Sequence, residues 1–161
     1  MGCDIHLYIE KRVFAYSDKD KENGFWVCQD KLSENEDFYI EKDYNPPYLF
    51  VKREDEFYTH GRNYNLFCAL AGVRSYHFIG APPLVSPPKG MPKDASKIVK
   101  KFKREYGSDG HTHSYLTLLE LQRFDWSPYG ETCNDFRNET MKKMEGIAEP
   151  HNVRIVFWFD N

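Results

Sequence analysis

The sequence predicts an α+β domain: a mainly antiparallel sheet that holds both the N-terminal and the C-terminal strand, with three to four short helices packed on it. Three observations lead to this prediction. Residues 3–16 alternate between apolar and polar side chains, residues 153–159 form a continuous apolar run, and capped helical segments lie between them. A chain of 161 residues is expected to form one domain, residues 1–161, with a sizeable core.

The N-terminal strand has two distinct faces because side chains alternate along a strand. Its apolar face holds Cys3, Ile5, Leu7 and Ile9. Its polar face holds Asp4, His6, Tyr8 and Glu10. Asn23-Gly24 predicts a hairpin turn to an antiparallel strand over 25–30, and a short third strand is expected over 38–41. The final apolar run is typical of an interior strand covered on both faces, and the N-terminal strand is its expected partner.

Four segments carry the signals of helices, which are expected over residues 66–71, 95–106, 117–124 and 131–147. Side chains that can cap a helix precede the first three segments: Asn63 or Asn65, Asp94 and Thr117. Glu120 completes a capping box with Thr117, and Gly72 and Gly107 end the first two helices. Residues 80–93 contain five prolines and predict a long ordered loop, which could cover a functional site.

Composition excludes several classes of protein. The formal net charge of −3 argues against a general nucleic-acid binder. No apolar run approaches the roughly 18 residues that a membrane helix needs, so no membrane association is expected. The four cysteines include no Cys-x-x-Cys pair, which favours reduced thiols in a cytoplasm. The composition is compatible with a homo-oligomer.

The segment 109–113, Asp-Gly-His-Thr-His, is the strongest candidate for a functional site. In an extended backbone the imidazoles of His111 and His113 point the same way, which suits a metal or a phosphate held between two nitrogens. Histidine also titrates near neutral pH, as acid–base catalysis requires. The alternative is a loop that caps the following helix, with both imidazoles simply hydrogen-bonded.

Asp4 and His6 leave the same face of the first strand and could join this site. Together with His111 and His113 they form the predicted ligand set for a divalent metal, Zn, Mn or Mg. His6, His111, His113 and His60 are the predicted catalytic residues, acting as acid–base groups or through the metal. The alternative for Asp4 and His6 is an ordinary exposed sheet face.

Five further residues are candidates for ligand binding: Arg62, Asn63, Tyr64, Tyr8 and Tyr115. Arg62 could hold a phosphate with two parallel hydrogen bonds. Asn63 could orient a ligand or cap the next helix. Tyr8, Tyr64 and Tyr115 could stack on a nucleobase, although packing in the core is the alternative for each ring.

Two resemblances add to this interpretation. Asp4-x-His6 and Gly110-His-Thr-His113 resemble the first and last motifs of calcineurin-like metallophosphoesterases, in which they bind two metals, but the central Gly-Asp and Gly-Asn-His motifs are missing here. The segments MGCDIHLYIE at 1–10, RNYNLFCALAGVR at 62–74, DGHTHSYLT at 109–117 and VRIVFWFD at 153–160 resemble a family of small bacteriophage and prophage proteins. This second resemblance implies a phage protein in the bacterial cytoplasm.

The residues and the resemblances together predict a phosphodiesterase-like hydrolase of a nucleotide, such as a cyclic signalling nucleotide of host defence. Two alternatives stay open. The chain could bind and sequester a nucleotide without chemistry, using the same arginine and aromatic residues. It could also inhibit a host defence enzyme through a protein–protein contact, which would leave the histidines unexplained.

Overall fold

The fold is α+β, as the sequence predicts. A computed structural model describes residues 2–14, 24–34 and 49–161. Its main sheet has four antiparallel strands in the order β2-β1-β6-β5. Their bounds are β1 Asp4–Val13, β2 Phe25–Cys28, β5 His111–Thr117 and β6 Val153–Asp160. Two short strands that the sequence does not predict, β3 Leu32–Glu34 and β4 Leu49–Val51, pair separately.

The N-terminal and C-terminal strands are neighbours at the centre of the sheet, which confirms their predicted pairing. β1 and β6 are in register from Asp4 opposite Asp160 to Lys11 opposite Val153. Every residue of β6 from Val153 to Phe159 is buried. The continuous apolar run is therefore an interior strand with both faces covered, as predicted.

Two layers of helices cover the sheet. Three helices of the first layer border the larger core: α1 Tyr64–Ala71, α3 Leu118–Arg123 and α4 Lys142–Glu145. On the other face, α2 Lys97–Tyr106 places Val99 and Phe102 against Val156 and Trp158 of β6. The candidate site lies on this second, thinner layer.

Most predicted helix caps are confirmed, with one correction. Asn63, rather than Asn65, caps α1, and its Oδ1 accepts a hydrogen bond of 3.1 Å from the backbone N–H of Leu66. Thr117 and Glu120 form the predicted capping box of α3. Asp94 is not the cap of α2, because Ser96 takes that position. The Asp94 carboxylate instead accepts a hydrogen bond from Trp26 Nε1 at 3.1 Å.

The fourth predicted helix, over 131–147, is irregular. Two 3₁₀ turns on either side of Gly130 cover Ser127–Cys133, a π-helical segment covers Phe136–Met141, and an α-helical turn covers Lys142–Glu145. The hydroxyl of Thr140, inside the π-helical segment, donates to the backbone carbonyl of Phe57 at 2.7 Å. The strand predicted over 38–41 and Asn23 of the predicted turn lie outside the described residues.

Candidate functional site

A β-bulge separates the two histidines of the predicted site. Thr112 and His113 of β5 together oppose the single residue Trp158 of β6, and Thr112 has a positive φ of 50°. An extra residue in one strand reverses the alternation of side chains. His111 therefore stacks on Phe159 in the larger core, whereas His113 stacks on Trp158 under α2. The prediction that both imidazoles point the same way is wrong.

The structure instead brings His113 and His6 to the same face. Each imidazole stacks beside Trp158 with ring centroids 6.0 Å apart, His6 from β1 and His113 from β5. His6 also packs against Tyr106 of α2 at a centroid distance of 3.9 Å. Its Nε2 lies 3.2 Å from Oδ2 of Asp160, within ion-pair distance but outside hydrogen-bonding geometry. Burial is the main cause that lowers the pKa of His113, with a further contribution from Lys103.

Asp4 and Arg62 satisfy each other. Nε and Nη2 of Arg62 donate to the two carboxylate oxygens of Asp4, both at 2.8 Å. The hydrogen bond from Arg62 lowers the pKa of Asp4. A Cβ on Gly2 would lie only 2.1 Å from Nη1 of Arg62, so a larger residue at position 2 would displace the guanidinium of Arg62. The predicted metal ligand and the predicted phosphate ligand thus form one ion pair at the surface.

His60 lies in a different environment from the other histidines. Its Nε2 is 2.9 Å from Oε2 of Glu139, and its Nδ1 is 3.7 Å from Oδ2 of Asp135. Both carboxylates belong to the irregular fourth helix, and they face opposite edges of the imidazole. His60 therefore links the segment before α1 to that helix.

Three of the predicted ligand-binding residues have structural partners. Besides capping α1, Asn63 donates from Nδ2 to the carbonyl of Thr132 at 2.6 Å. Tyr64 packs against Phe67, with ring centroids 5.7 Å apart. Two cations lie over the ring of Tyr115, Lys89 at 4.9 Å and Arg154 at 5.3 Å from its centroid. Asn63 therefore has the capping role that the sequence offered as its alternative, and the rings of Tyr64 and Tyr115 pack against neighbouring side chains.

A cavity of about 230 Å³ lies along the edge of β1. β2 pairs with the C-terminal part of β1, Glu10–Val13, and the cavity borders the part before it, Ile5–Tyr8. Aromatic rings form much of its wall: Tyr8, Phe50, Tyr58, Phe102 and Tyr106. Its polar lining comprises His6 and three carboxylates, those of Asp30, Glu56 and Glu105. His6 and Tyr8 are the only predicted site residues that line this cavity among the described residues.

Asp30 is the most deeply buried carboxylate of this cavity. Its Oδ2 accepts a hydrogen bond of 2.8 Å from the backbone N–H of Ile9. Burial raises the pKa of Asp30 to about 7, and burial also raises the pKa of Glu56. Sequence reasoning missed Asp30, Glu56 and Tyr106. They come from three separate segments and form no short motif. The one local feature that could have indicated a role for any of them is the position of Asp30 just after β2.

A second depression of about 340 Å³ adjoins the cavity. The two share Ile5, Glu56 and Tyr58 as a common wall. The second depression is also lined by Arg53, Asp4, Thr59 and Gly61. An aromatic, acidic compartment therefore opens beside one that carries arginine.

The proline-rich loop over 80–93 lies on the opposite edge of the sheet. Gly90 donates its backbone N–H to the carbonyl of His113 at 3.0 Å, and Val85 donates to the carbonyl of Ala69 in α1 at 2.9 Å. Within the described part of the chain, no residue of this loop lines the cavity or the depression beside it. The loop covers the outer edge of β5 beside His113.

Over the described ranges, 2–14, 24–34 and 49–161, no group of three or more His, Cys, Asp or Glu side chains is arranged to share a metal ion. The divalent metal stays a prediction. No helix in the same ranges is long and apolar enough to cross a membrane.

Comparison of the chain with protein-family models, curated proteins and solved structures found no match. The function of the site is therefore inferred from its geometry.

Proposed function

We propose that this chain binds a nucleotide, with the base in the cavity beside β1. The observation that carries the proposal is the lining of that cavity, in which aromatic rings surround Asp30, Glu56 and Glu105. Aromatic rings stack on any nucleobase, at about 1–3 kcal/mol per base. Carboxylates accept hydrogen bonds from the N–H groups on the edge of a base. This lining suits a base better than it suits a phosphate.

The phosphate of such a ligand would lie in the adjoining depression. Arg53 lines this depression, and Arg62 is beside it in the ion pair with Asp4. Both members of that pair are about half exposed, so a phosphate can compete with Asp4 for the guanidinium. The two compartments together have the size of an ordinary small-molecule site, about 300–1,000 Å³.

The resemblance to phage proteins suggests which nucleotides to test. A phage protein in the cytoplasm of a bacterial host encounters the cyclic nucleotides that signal host defence, and sequestering one of them would need no turnover. We therefore place cyclic signalling nucleotides first among the ligands, as part of the same proposal.

Calorimetry against a panel of linear and cyclic nucleotides tests the proposal. The purified protein should bind at least one member, and mass spectrometry of the ligand released by denaturation should recover it unchanged. If no nucleotide of the panel binds, the proposal fails.

A second candidate function is a phosphodiesterase-like hydrolase. The specific observation in its favour is that His6 lines the cavity while its Nε2 lies 3.2 Å from a carboxylate oxygen of Asp160. An imidazole and a carboxylate this close together at the wall of a cavity are an arrangement that suits general acid–base catalysis. A divalent metal, Zn, Mn or Mg, could assist at the same face.

The hydrolase candidate predicts turnover that depends on His6. Wild type, incubated with the nucleotide panel and with Mn²⁺, Mg²⁺ or Zn²⁺ in turn, should release cleaved product. His6→Ala should lower the rate by about 10²-fold or more, the usual contribution of general acid–base catalysis. His151→Ala, which changes an exposed histidine in the 3₁₀ turn before β6, is the matched control and should keep the wild-type rate. Binding without any cleaved product would contradict the hydrolase candidate and support nucleotide binding without turnover.

A further inference from the structure

The wall between the cavity beside β1 and the adjoining depression carries one charged residue. Ile5, Glu56 and Tyr58 line both compartments. Ile5 is apolar, and the hydroxyl of Tyr58 donates to the backbone carbonyl of Gly61 at 3.1 Å. Glu56 is half-buried and ends in a carboxyl group. The boundary between the two compartments is therefore marked by a hydrogen-bond acceptor.

A 3₁₀ turn, Arg53–Asp55, brings Glu56 beside Arg53. Residues three apart in such a turn lie on the same side of it. The backbone N–H of Glu56 donates to the carbonyl of Arg53 at 3.4 Å, and the side chain of Arg53 lines the depression. Burial raises the pKa of Glu56, and the positive charge of Arg53 opposes that rise. Glu56 is therefore close to the compartment proposed for the phosphate.

Glu56 is also close to the polar groups of the cavity. Burial is the main cause that raises the pKa of Asp30, and the negative charge of Glu56 raises it further. Burial likewise raises the pKa of Tyr8, with smaller contributions that include the charge of Glu56. A charge has such an effect only on groups near it. The carboxylate of Glu56 thus lies between Asp30 in one compartment and Arg53 in the other.

A nucleotide that fills both compartments would bring its sugar to this boundary. The sugar joins the base to the phosphate, so it crosses the shared wall when the base is in the cavity and the phosphate is in the depression. Ribose offers hydroxyl donors at that point, and an ionised carboxylate can only accept. Acidic side chains hold ribose hydroxyls in the same way in dinucleotide-binding folds. The 2′-hydroxyl remains available in linear 5′-phosphates and in 3′,5′-cyclic phosphates alike.

We propose that Glu56 accepts a hydrogen bond from the 2′-hydroxyl of the bound nucleotide, and that the site therefore selects ribonucleotides over deoxyribonucleotides. This role of Glu56 rests on the nucleotide function proposed above. A deoxyribose in the same place would cover the carboxylate without supplying a donor. Leaving a charged group without a partner costs more than the hydrogen bond itself contributes, so the missing hydroxyl should be strongly discriminated against.

Calorimetry with matched pairs of nucleotides tests this role. The probes are the common ribonucleoside 5′-monophosphates, their 3′,5′-cyclic forms and 3′,5′-linked cyclic dinucleotides, each with its 2′-deoxy counterpart. Every ribonucleotide that binds wild type should bind about tenfold or more tightly than its 2′-deoxy counterpart. Equal or tighter binding of the deoxy members would overturn the role of Glu56 and leave nucleotide binding intact. If no member of either series binds, the nucleotide function fails and the role of Glu56 fails with it.

Glu56→Ala should abolish the preference for ribose. The ratio of the ribo affinity to the deoxy affinity isolates the 2′-hydroxyl, because both members of a pair carry the same base and phosphate. This ratio should fall from about tenfold or more in wild type to about one in Glu56→Ala. Glu54→Ala is the matched control and should keep the wild-type ratio, because Glu54 belongs to the same 3₁₀ turn but is exposed and lines neither compartment. A wild-type ratio in Glu56→Ala would contradict the assignment to Glu56.

Discussion

At the scale of single residues, the buried carboxyl group of Asp30 determines how the cavity responds to pH. Its carboxyl group is held by the backbone N–H of Ile9 and is 6% exposed, in a cavity that also contains Glu56. Burial disfavours the charged form and raises the pKa of Asp30 to about 7. Because the folded state binds this proton more tightly than the unfolded chain does, Asp30 makes stability depend on pH.

Asp30→Asn should remove that dependence. The wild-type contribution is fully present below the ordinary aspartate pKa of 3.8 and is lost as the pH rises through about 7. The free energy of unfolding of wild type, relative to Asp30→Asn, should therefore fall over this range, by at most about 4 kcal/mol. Urea unfolding at several pH values measures it, with Asp109→Asn as the exposed control. Parallel stability curves for wild type and Asp30→Asn would contradict the account.

The residue scale is also where the sequence prediction of the site fails. An i, i+2 pair of histidines shares one face only in a regular strand, and the positive φ of Thr112 breaks that regularity. Threonine rarely adopts this conformation, so no local pattern could predict it. His113 lies beside Trp158 on the face that α2 covers, and His111 lies beside Phe159 in the larger core.

At the scale of elements, one buried ion pair joins β1, β6 and α2. Arg154 is opposite Glu10 in the register of β1 and β6, and its Nε donates to Oε2 of Glu10 at 2.8 Å. The other carboxylate oxygen of Glu10 accepts from the backbone N–H of Ser96, the cap of α2, at 2.7 Å. Trp26 of β2 covers the guanidinium of Arg154 at 3.9 Å. The pair therefore fixes α2 above the sheet.

Removing one member of this pair should be costly. Arg154→Met leaves the carboxylate of Glu10 buried without its cation and should lower the free energy of unfolding by about 3–5 kcal/mol. The double variant Glu10→Gln with Arg154→Met should recover part of that loss, because it removes the uncompensated charge. Lys142→Met, which breaks an exposed pair with Glu145, should cost less than about 1 kcal/mol. Denaturant unfolding of wild type and the three variants measures these free energies. A loss of less than about 1 kcal/mol in Arg154→Met, as in Lys142→Met, would contradict a stabilising role for the pair of Glu10 and Arg154.

Helix caps could be predicted from the sequence where the residues that form the cap are close together in the chain. The capping box of α3 and the cap of α1 need only residues within one turn, and both are found as predicted. Asp94 has the right residue type for a cap but lies 3.0 Å from Nη2 of Arg154 and accepts from Trp26. Distant partners decided its role, and the sequence near Asp94 does not contain them.

At the scale of the whole molecule, the sheet could be predicted and the cavity could not. The pairing of the first and last strands follows from two strong hydrophobic patterns. The cavity is assembled from β1, Asp30, β4, Glu56 and α2, which are far apart in the chain. Its aromatic and acidic character becomes visible only when the fold brings these segments together.

The central claim is that this cavity binds a nucleotide, and one calorimetric comparison tests it most directly. Glu56 lies on the wall shared by the cavity and the adjoining depression, whereas its neighbour Glu54 is exposed and lines neither. Titrating the best nucleotide of the panel into wild type, Glu56→Gln and Glu54→Gln should show binding weakened by about tenfold or more in Glu56→Gln alone. Equal affinity for all three proteins, or no binding to wild type, would contradict the claim.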